Sequence, residues 1–550
     1  MPDLLSQMGL NVFSRPSRGT RQYGVDIAAV GGLNGEAEKV YLVSIKSGDL
    51  TRATWGGTSN QSLRNSLDEI QDAYIRNNLP AEHRDKHIII CLCFGGDVHE
   101  SARTLLTAYI DRYTTQSLSF VEWNGNILAE LVQTHLLRED LFPNELKPLL
   151  RKSLALLDEP EVSFSFFQQI INYLSEKTKS DPSQRLISLR QLNVCLWILY
   201  TWARDAGNLE AAYLSSELTL LHAWEVSKSS FENETKYDIL VQQSFGSICS
   251  TYSSIGQNYL EKLLPHFPKP DGISVAVQSQ SEVDINLKLF DLLGRVAIVG
   301  LWHLMLPRAV DPDSAETQKK NVNHLIRAVQ LLVQNNPALL LPLKDDQAID
   351  FFLAMLLMSY GEANSAFMQS WLTEMIEQAT ISHQLGLPYP CTINNYKELL
   401  EHPKNSLPDY KEEVTAASIL HPTMALWAAL LSDEKGFRKL AILKRDHLSH
   451  CNFQFWFPDE ATEEYFYTYK GNHGATLSGI QLEAGSASLK DVVWKECDQS
   501  KSFHQLSAIR FGLPILVLIA CRHHRMPIPL HFILGYRDQS PSGVTPDEEV

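Results

Sequence analysis

Short apolar runs alternate with amphipathic stretches along the first 142 residues. Apolar residues recur at helical spacing in 62–77, which predicts a helix with one buried stripe. The run 87–94 (HIIICLCF) is continuously apolar, as expected for a strand that is buried on both faces. The pattern predicts strands at 10–14, 22–30, 40–46, 87–94 and 118–123, and helices before Gly9 and at 62–77, 98–113 and 125–136. This alternation predicts an α/β domain over 1–142, with a mixed sheet flanked by helices.

From 143 to 440 the pattern changes to apolar residues at helical spacing in segment after segment. A large, mostly α-helical region is therefore predicted for 143–440. No repeat period holds along it, although an irregular array of helical repeats remains open. The part 441–536 is predicted to be mixed, with strands at 452–457 and 464–469 and mostly helix from 485 onward. The tail 537–550 is polar and is predicted to be disordered.

Composition and charge narrow the class of protein. The formal net charge of −16 argues against a protein that only coats nucleic acid, but it leaves room for an enzyme with a local basic groove. The eight cysteines contain no CxxC pair, and the most apolar stretch (511–521) is about half the length of a membrane-spanning helix. The chain has neither a GxxxxGK[ST] nor a GxSxG motif. We therefore expect a cytoplasmic protein with reduced thiols and no membrane contact.

The chemistry is concentrated in residues 24–46. Asp26 lies in the first strand of a predicted hairpin, and Lys46 ends the second strand two residues after Ser44. Because strand side chains alternate between faces, Ser44 and Lys46 point the same way, and the hairpin brings Asp26 alongside them. A carboxylate can hold Mg²⁺, the backbone carbonyl of Ile45 can be a second ligand, and a lysine beside the ion can steady developing charge on a phosphate.

This arrangement resembles the PD-(D/E)xK nuclease superfamily, and within it the Mrr-like restriction endonucleases. The pieces that match are Gly24-Val25-Asp26 and Ser44-Ile45-Lys46 in the order strand, strand, helix, strand, over about 1–140. The resemblance implies an endonuclease that cuts DNA with Mg²⁺ or Mn²⁺, in which Asp26 and the Ile45 carbonyl hold the metal and Lys46 is the catalytic lysine. It also implies that the helix with Glu69 and Gln71 packs beside the site.

The sequence departs from the family pattern at two positions. Ser44 stands where the family usually has an acidic residue or glutamine, and the glutamate usual on the first helix would fall on Met1. Asp3 and Glu69 are the candidates to replace that glutamate. The alternatives that remain open are a surface ion pair between Asp26 and Lys46, a degenerate nuclease fold that serves as a protein-binding scaffold, and an unrelated α/β domain on a helical scaffold.

Basic residues near the predicted site are candidates for contacts with DNA. Arg15, Arg18 and Arg21 lie in a loop without acids just before Asp26, and Arg52 lies in the loop after Lys46. Their charge predicts salt-dependent binding to phosphates, although an ordinary solvated loop would also be basic. Trp55 could stack on a base or cover the edge of the core.

The helical region carries no catalytic motif and is expected to bind a partner protein or a signal. Homo-oligomers are also compatible with the sequence. Together with the family resemblance, this organisation suggests an effector of a prokaryotic restriction or anti-phage defence system, by analogy with such nucleases.

Overall fold

The computed structural model describes residues 1–14, 23–33, 36–56, 62–96, 98–131, 145–180, 182–276, 279, 281–305, 312–361, 364–403, 409–468, 471 and 473–539. The chain divides into two compact units, Met1–Lys152 and Ser153–Val550. The first unit contains the predicted α/β domain and ends ten residues beyond the predicted boundary. The predicted parts 143–440 and 441–536 lie almost entirely in the second unit.

The first unit is built on a five-stranded mixed sheet with the order β1-β2-β3-β4-β5. Its strands are β1 (Asn11–Ser14), β2 (Ile27–Gly31), β3 (Lys39–Lys46), β4 (Ile88–Phe94) and β5 (Leu118–Trp123). Strands β1, β2 and β3 pair antiparallel, whereas β3, β4 and β5 pair parallel. The carboxyl ends of the three parallel strands and the start of β2 therefore share one edge of the sheet.

Helices cover both faces of this sheet. They are α1 (Pro2–Gln7), α2 (Arg52–Gly56), α3 (Leu63–Glu69), α4 (Glu100–Tyr113) and α5 (Gly125–Leu131), and α3 continues without a break as a π-helix over Ile70–Asn78. Along β3, Val40 and Leu42 face a core shared with α3 and α4, while Tyr41 and Val43 face a core shared with α1. The strand alternation thus puts even-numbered residues of β3, including Ser44 and Lys46, on the side of α3.

The predicted order of elements is confirmed in this unit, with three differences in detail. Strand β2 begins at Ile27, five residues later than predicted. The short helix α2 and the three-residue 3₁₀ turn at Ala81–His83 have too few residues to give a periodic signal. Of the predicted helix 125–136, residues 132–136 lie outside the described part of the chain.

The second unit is largely helical, as the periodicity predicts. Helix α6 (Leu146–Ala155) runs across the division between the units. The unit's other helices are α7 (Pro160–Ser180), α8 (Arg185–Asp205), α9 (Glu210–Ser227), α10 (Lys236–Leu263), α11 (Gly272–Ala276), α12 (Glu282–Met305), α13 (Pro312–Asn335), α14 (Ala348–Ser359), α15 (Ser365–Leu385), α16 (Tyr396–Glu401), α17 (Tyr410–Val414), α18 (Leu420–Leu430), α19 (Glu434–His447), α20 (Thr462–Tyr465), α21 (Ser486–Gln499), α22 (Ser502–Gln505), α23 (Ser507–Arg510) and α24 (Ile515–His524). Short 3₁₀ segments lie at Pro182–Gln184, Lys228–Phe231, Leu264–His266, Pro337–Leu340, Asp345–Gln347 and Leu530–Gln539.

Four short strands accompany these helices. Strands β6 (Ala417–Ser418) and β7 (Asn452–Phe453) pair parallel, and β8 (Phe455–Phe457) and β9 (Ala475–Leu477) pair antiparallel. The predicted strand at 452–457 is confirmed as β7 and β8. Within the predicted tail, residues 537–539 belong to the last 3₁₀ segment, and 540–550 lie outside the described residues.

The strand predicted at 464–469 is wrong, because the described residues 464–468 form a helix end and a turn. Thr462 Oγ1 accepts from the Asp459 N–H at 2.9 Å and donates to the Asp459 carboxylate at 2.9 Å, which starts a helical turn. Phe466 and Tyr467 follow that turn and are fully buried. The aromatic run is therefore buried by a turn and not by a strand ladder, so its strand propensity is overridden by tertiary packing.

A buried ionic network links helices of the second unit that are far apart in sequence. Arg522 on α24 donates to both carboxylate oxygens of Glu217 on α9 at 2.7 and 3.0 Å, and to Asp291 on α12 at 2.6 Å. Arg525 donates to Asp350 on α14 at 2.8 Å. Because Arg522, Glu217 and Asp350 are at most 4% exposed, each charge depends on its partners to offset the cost of leaving water.

Two buried histidines make the stability of this unit sensitive to acid. His383 on α15 and His421 on α18 are 5% and 2% exposed, and their rings lie 5.9 Å apart. Burial, with His421 nearby, lowers the pKa of His383 to about 2, and burial, with Lys444 nearby, lowers the pKa of His421 to about 4. Both imidazoles are therefore neutral in the folded chain at neutral pH.

We expect the free energy of unfolding to decrease as the pH falls below 6.5, the ordinary value for histidine. Below that pH the two histidines are protonated in the unfolded chain but stay neutral in the folded chain. Each histidine therefore contributes up to about 1.4 kcal/mol per pH unit to the slope of the free energy of unfolding against pH. His383→Phe keeps the stacking on Tyr389 and should flatten the decrease between pH 6.5 and 4, measured by urea unfolding. The exposed-residue control His324→Phe should leave the slope unchanged, and a similar flattening in both variants would contradict the assignment.

None of the helices in the described part of the chain is long and apolar enough to cross a membrane.

Candidate functional site

The site forms at the edge where the parallel strands end and β2 begins. Lys46 is the last residue of β3, and Asp26 immediately precedes β2. The ladder between these strands ends at the pair Ile27–Val43, so Asp26 lies opposite the last residues of β3. In open α/β sheets, ligands bind at this carboxyl edge of the strands.

Asp26 is fixed to β3 by two hydrogen bonds. Its N–H donates to the Val43 carbonyl at 2.9 Å, and its Oδ2 accepts from the Ile45 N–H at 2.6 Å. The N–H and the C=O of one strand residue point to the same side, so the Ile45 carbonyl is directed toward the side of Asp26. Among the described residues, Oδ1 of Asp26 has no hydrogen-bond partner, which leaves one carboxylate oxygen for a ligand.

Lys46 is held against α3 on the other side of the site. Its Nζ donates to Ser66 Oγ at 2.9 Å, and the Ser66 hydroxyl donates to the Ser62 carbonyl. Burial lowers the pKa of the Lys46 ammonium, while the carboxylates of Asp26 and Glu69 partly oppose that effect. Lys46 therefore lies within electrostatic reach of both acids, with a half-buried charge that is poorly shielded by water.

Gly24 allows α3 to approach the segment that leads through Asp26 into β2. Its φ is +78°, a left-handed conformation, and a Cβ there would lie 2.1 Å from the Ser66 carbonyl oxygen. The glycine of the Gly24-Val25-Asp26 motif is thus required by close packing on the same helix that holds Lys46.

Gly24→Ala should destabilise the first unit by roughly 2–5 kcal/mol. We expect about 1–2 kcal/mol from a Cβ in left-handed backbone and about 1–3 kcal/mol from overpacking against Ser66. Gly48→Ala is the matched control, since Gly48 has a φ of +69° but nothing within 4 Å of its Cβ position. Denaturant unfolding that shows equal losses for the two variants would mean that the contact with Ser66 is unimportant.

The structure brings Asp26, the Ile45 backbone, Lys46 and Glu69 together, with Ser44 beneath them. Ser44 is fully buried on the side of α3, and its hydroxyl has no hydrogen-bond partner among the described residues. Ser44 is therefore enclosed by protein and is not exposed to a ligand at this edge of the sheet.

Gln71 and Trp55 have structural partners away from the site. Gln71 donates to the Tyr109 hydroxyl at 2.9 Å, which in turn donates to Asp68 at 2.7 Å. Trp55 is 3% exposed and packs edge-on against Tyr109, so it belongs to the core and is not available to stack on a base. Arg52 is exposed at the start of α2.

Other predicted residues lie beyond what the structure describes. Arg15, Arg18 and Arg21 fall in 15–22, outside the described residues, and the side chain of Asp3 on α1 is likewise not described. Their predicted roles stay predictions.

Sequence reasoning missed three residues at this edge. Ser66, which receives the Lys46 hydrogen bond, is recognisable only once α3 is docked on β3. Asp49 and His99, in the loops after β3 and β4, approach each other with Nε2 and Oδ2 3.6 Å apart, and both side chains are about half exposed. The parallel pairing of β3 with β4, which sequence periodicity does not reveal, brings them together.

The described residues contain no group of three or more histidine, cysteine, aspartate or glutamate side chains placed to hold a metal ion. The oxygen donors nearest Lys46 are the Asp26 carboxylate and the Ile45 carbonyl, and the Glu69 carboxylate lies within electrostatic reach of Lys46. Such a donor set fits Mg²⁺, which keeps several waters and often binds through one or two carboxylates.

Comparison of the chain with protein-family models, with curated proteins and with solved structures found no match.

Proposed function

We propose that the first unit is a metal-dependent nuclease that hydrolyses phosphodiester bonds in DNA. The observation that supports this most strongly is the Asp26 carboxylate hydrogen-bonded to the Ile45 N–H, one residue before a half-buried lysine that is oriented by α3. A surface ion pair between Asp26 and Lys46 would need neither the hydrogen bond from the Ile45 N–H to Asp26 nor the close packing of α3 at Gly24. The resemblance to PD-(D/E)xK nucleases, drawn from the sequence, points to the same chemistry.

Each residue would have a distinct task. Asp26 and the Ile45 carbonyl would hold Mg²⁺ or Mn²⁺, which when bound polarises the phosphate and favours hydroxide formation from water. The Lys46 ammonium would neutralise charge that develops on the phosphate oxygens, an effect strengthened by its partial burial. Glu69, on the helix that carries Ser66, would take the place of the glutamate missing from the first helix.

The experiment is incubation of the full-length protein with closed circular plasmid DNA, with single-stranded DNA and with RNA, in Mg²⁺, Mn²⁺ or EDTA. The proposal predicts strand breaks in DNA that require a divalent cation. Absence of cutting on all substrates, by protein with an intact unfolding transition, would count against it.

A catalytically degenerate scaffold is the second candidate. It is favoured by the absence of a three-ligand cluster among the described side chains and by Ser44 in place of an acid. In that case the helical unit would be the working part, binding a partner protein while the first unit serves as a structural module. Within the nuclease proposal, the helical unit would instead bind the partner or signal that controls cutting, as in a defence effector.

A further inference from the structure

The outward face of α10 carries no charged residue over most of its length. The run 239–260 contains no aspartate, glutamate, lysine, arginine or histidine. Its exposed residues recur at helical spacing along one side of the helix, and they are Ile239, Gln243, Gly246, Ser247, Ser250, Ser254 and Gln257. The side of a helix that faces water usually carries charged residues, so this uncharged face is suited to contact with another protein surface.

An exposed tryptophan of α8 borders the uncharged face. Thr251 of α10 donates to Asn193 of α8 at 2.9 Å. Two turns further along both helices, Asn258 of α10 donates to the Tyr200 hydroxyl of α8. Trp197 lies between these two contacts along α8, packs edge-on against Tyr200 and is 40% exposed. Because the centres of protein interfaces are depleted in charged residues and enriched in tryptophan, both features favour a protein partner.

The two ends of the uncharged face carry charges of opposite sign. Lys236 begins α10, Glu261 lies in its last turn, and both residues are exposed. Their spacing of about 25 residues is about seven helical turns, or about 38 Å, so both lie on the same side of the helix. Neither residue has an ion-pair partner among the described residues. The midpoint between them falls at Ile248 and Cys249, the centre of the uncharged face.

We propose that the uncharged face of α10, with Trp197 beside it, is the contact for a second copy of this chain, with the two α10 helices antiparallel. In a two-fold dimer both copies use the same surface, so Lys236 of each copy faces Glu261 of the partner subunit. The uncharged residues then lie between two identical ion pairs. The chain has a net charge of −16, so two copies repel each other, and a contact whose centre has no acid lets them approach.

Sedimentation velocity of the full-length protein over a range of concentrations tests this contact. We expect a monomer–dimer equilibrium for the wild type. Lys236→Glu and Glu261→Lys each place like charges opposite each other twice in the dimer, and each should raise its dissociation constant about 10-fold or more. The double variant Lys236→Glu/Glu261→Lys exchanges the two charges and should restore the dissociation constant to within about 3-fold of the wild type, because the two sites act as a pair.

Lys319→Glu is the matched control, since it makes the same change of charge at an exposed position of α13 and should leave the dimer unchanged. Ser250→Arg places two guanidinium groups near the two-fold axis and should prevent dimerisation without changing the unfolding transition. A wild type that stays monomeric at every concentration would overturn the proposal. So would a dimer that Lys236→Glu and Lys319→Glu weaken equally, or a double variant no tighter than the single ones.

Discussion

Lys46→Met should reduce the rate of DNA cleavage by roughly 10²–10³-fold, the loss typical of removing one charge-stabilising donor from an active site. The methionine retains the apolar stem that packs on α3 and removes only the ammonium group that donates to Ser66. That ammonium is half buried beside Asp26 and Glu69. Water that fills its place would therefore stabilise negative charge on the phosphate less than the ammonium does.

The matched control is Lys39→Met, at the opposite end of the same strand. Lys39 pairs with Glu36, away from the edge where Asp26 and Lys46 meet. The Lys39→Met variant should cut DNA at the wild-type rate in a single-turnover assay. Loss of cleavage in both variants would show that strand stability, and not the Lys46 charge, limits the reaction.

Arg522→Met should lower the free energy of unfolding of the second unit by about 3–5 kcal/mol, the cost of leaving a buried charge without its partner. Burial alone would raise the pKa of the Glu217 carboxyl, but Arg522 and His523 beside it hold that pKa below its ordinary value. Without Arg522, the fully buried Glu217 carboxylate loses two hydrogen bonds, and Asp291 loses one to its carboxylate and one to its backbone carbonyl.

Arg510→Met provides the comparison for Arg522. Arg510 pairs with Glu232 at 3.2 Å, and both side chains are about half exposed, so its removal should cost at most about 1 kcal/mol. Urea unfolding of the full-length protein measures both. A loss for Arg522→Met as small as that for Arg510→Met would show that water reaches the network and screens it.

Sequence periodicity was sufficient to predict the strands and helices that pack against the hydrophobic core. The apolar run of β4 and the stripe of α3 each match one period, so the order of strands and helices in the first unit could be predicted. Periodicity failed at 464–468, where the hydrogen bonds between Asp459 and Thr462 and the burial of Tyr467 decide the backbone. Those interactions form only in the folded chain, and sequence periodicity does not report them.

The residues of the candidate site also fall into those that could be predicted from the sequence and those that could not. Asp26, Ser44 and Lys46 could be predicted to meet because a hairpin and strand alternation bring them together. Ser66 could not, since its contact with Lys46 depends on how closely α3 approaches β2, and that distance is set by the missing side chain of Gly24. Gln71 was placed correctly on the helix but faces Tyr109, because its orientation depends on α4.

The dependence of DNA cutting on Asp26 tests the account most directly. An end-labelled duplex is incubated with full-length wild type or with Asp26→Asn, which keeps an oxygen for the Ile45 N–H and removes the negative charge, over a range of Mg²⁺ and Mn²⁺ concentrations. The account predicts cation-dependent cleavage by the wild type that falls at least about 100-fold in Asp26→Asn. Equal cleavage by the two proteins, or cleavage that persists in EDTA, would contradict it.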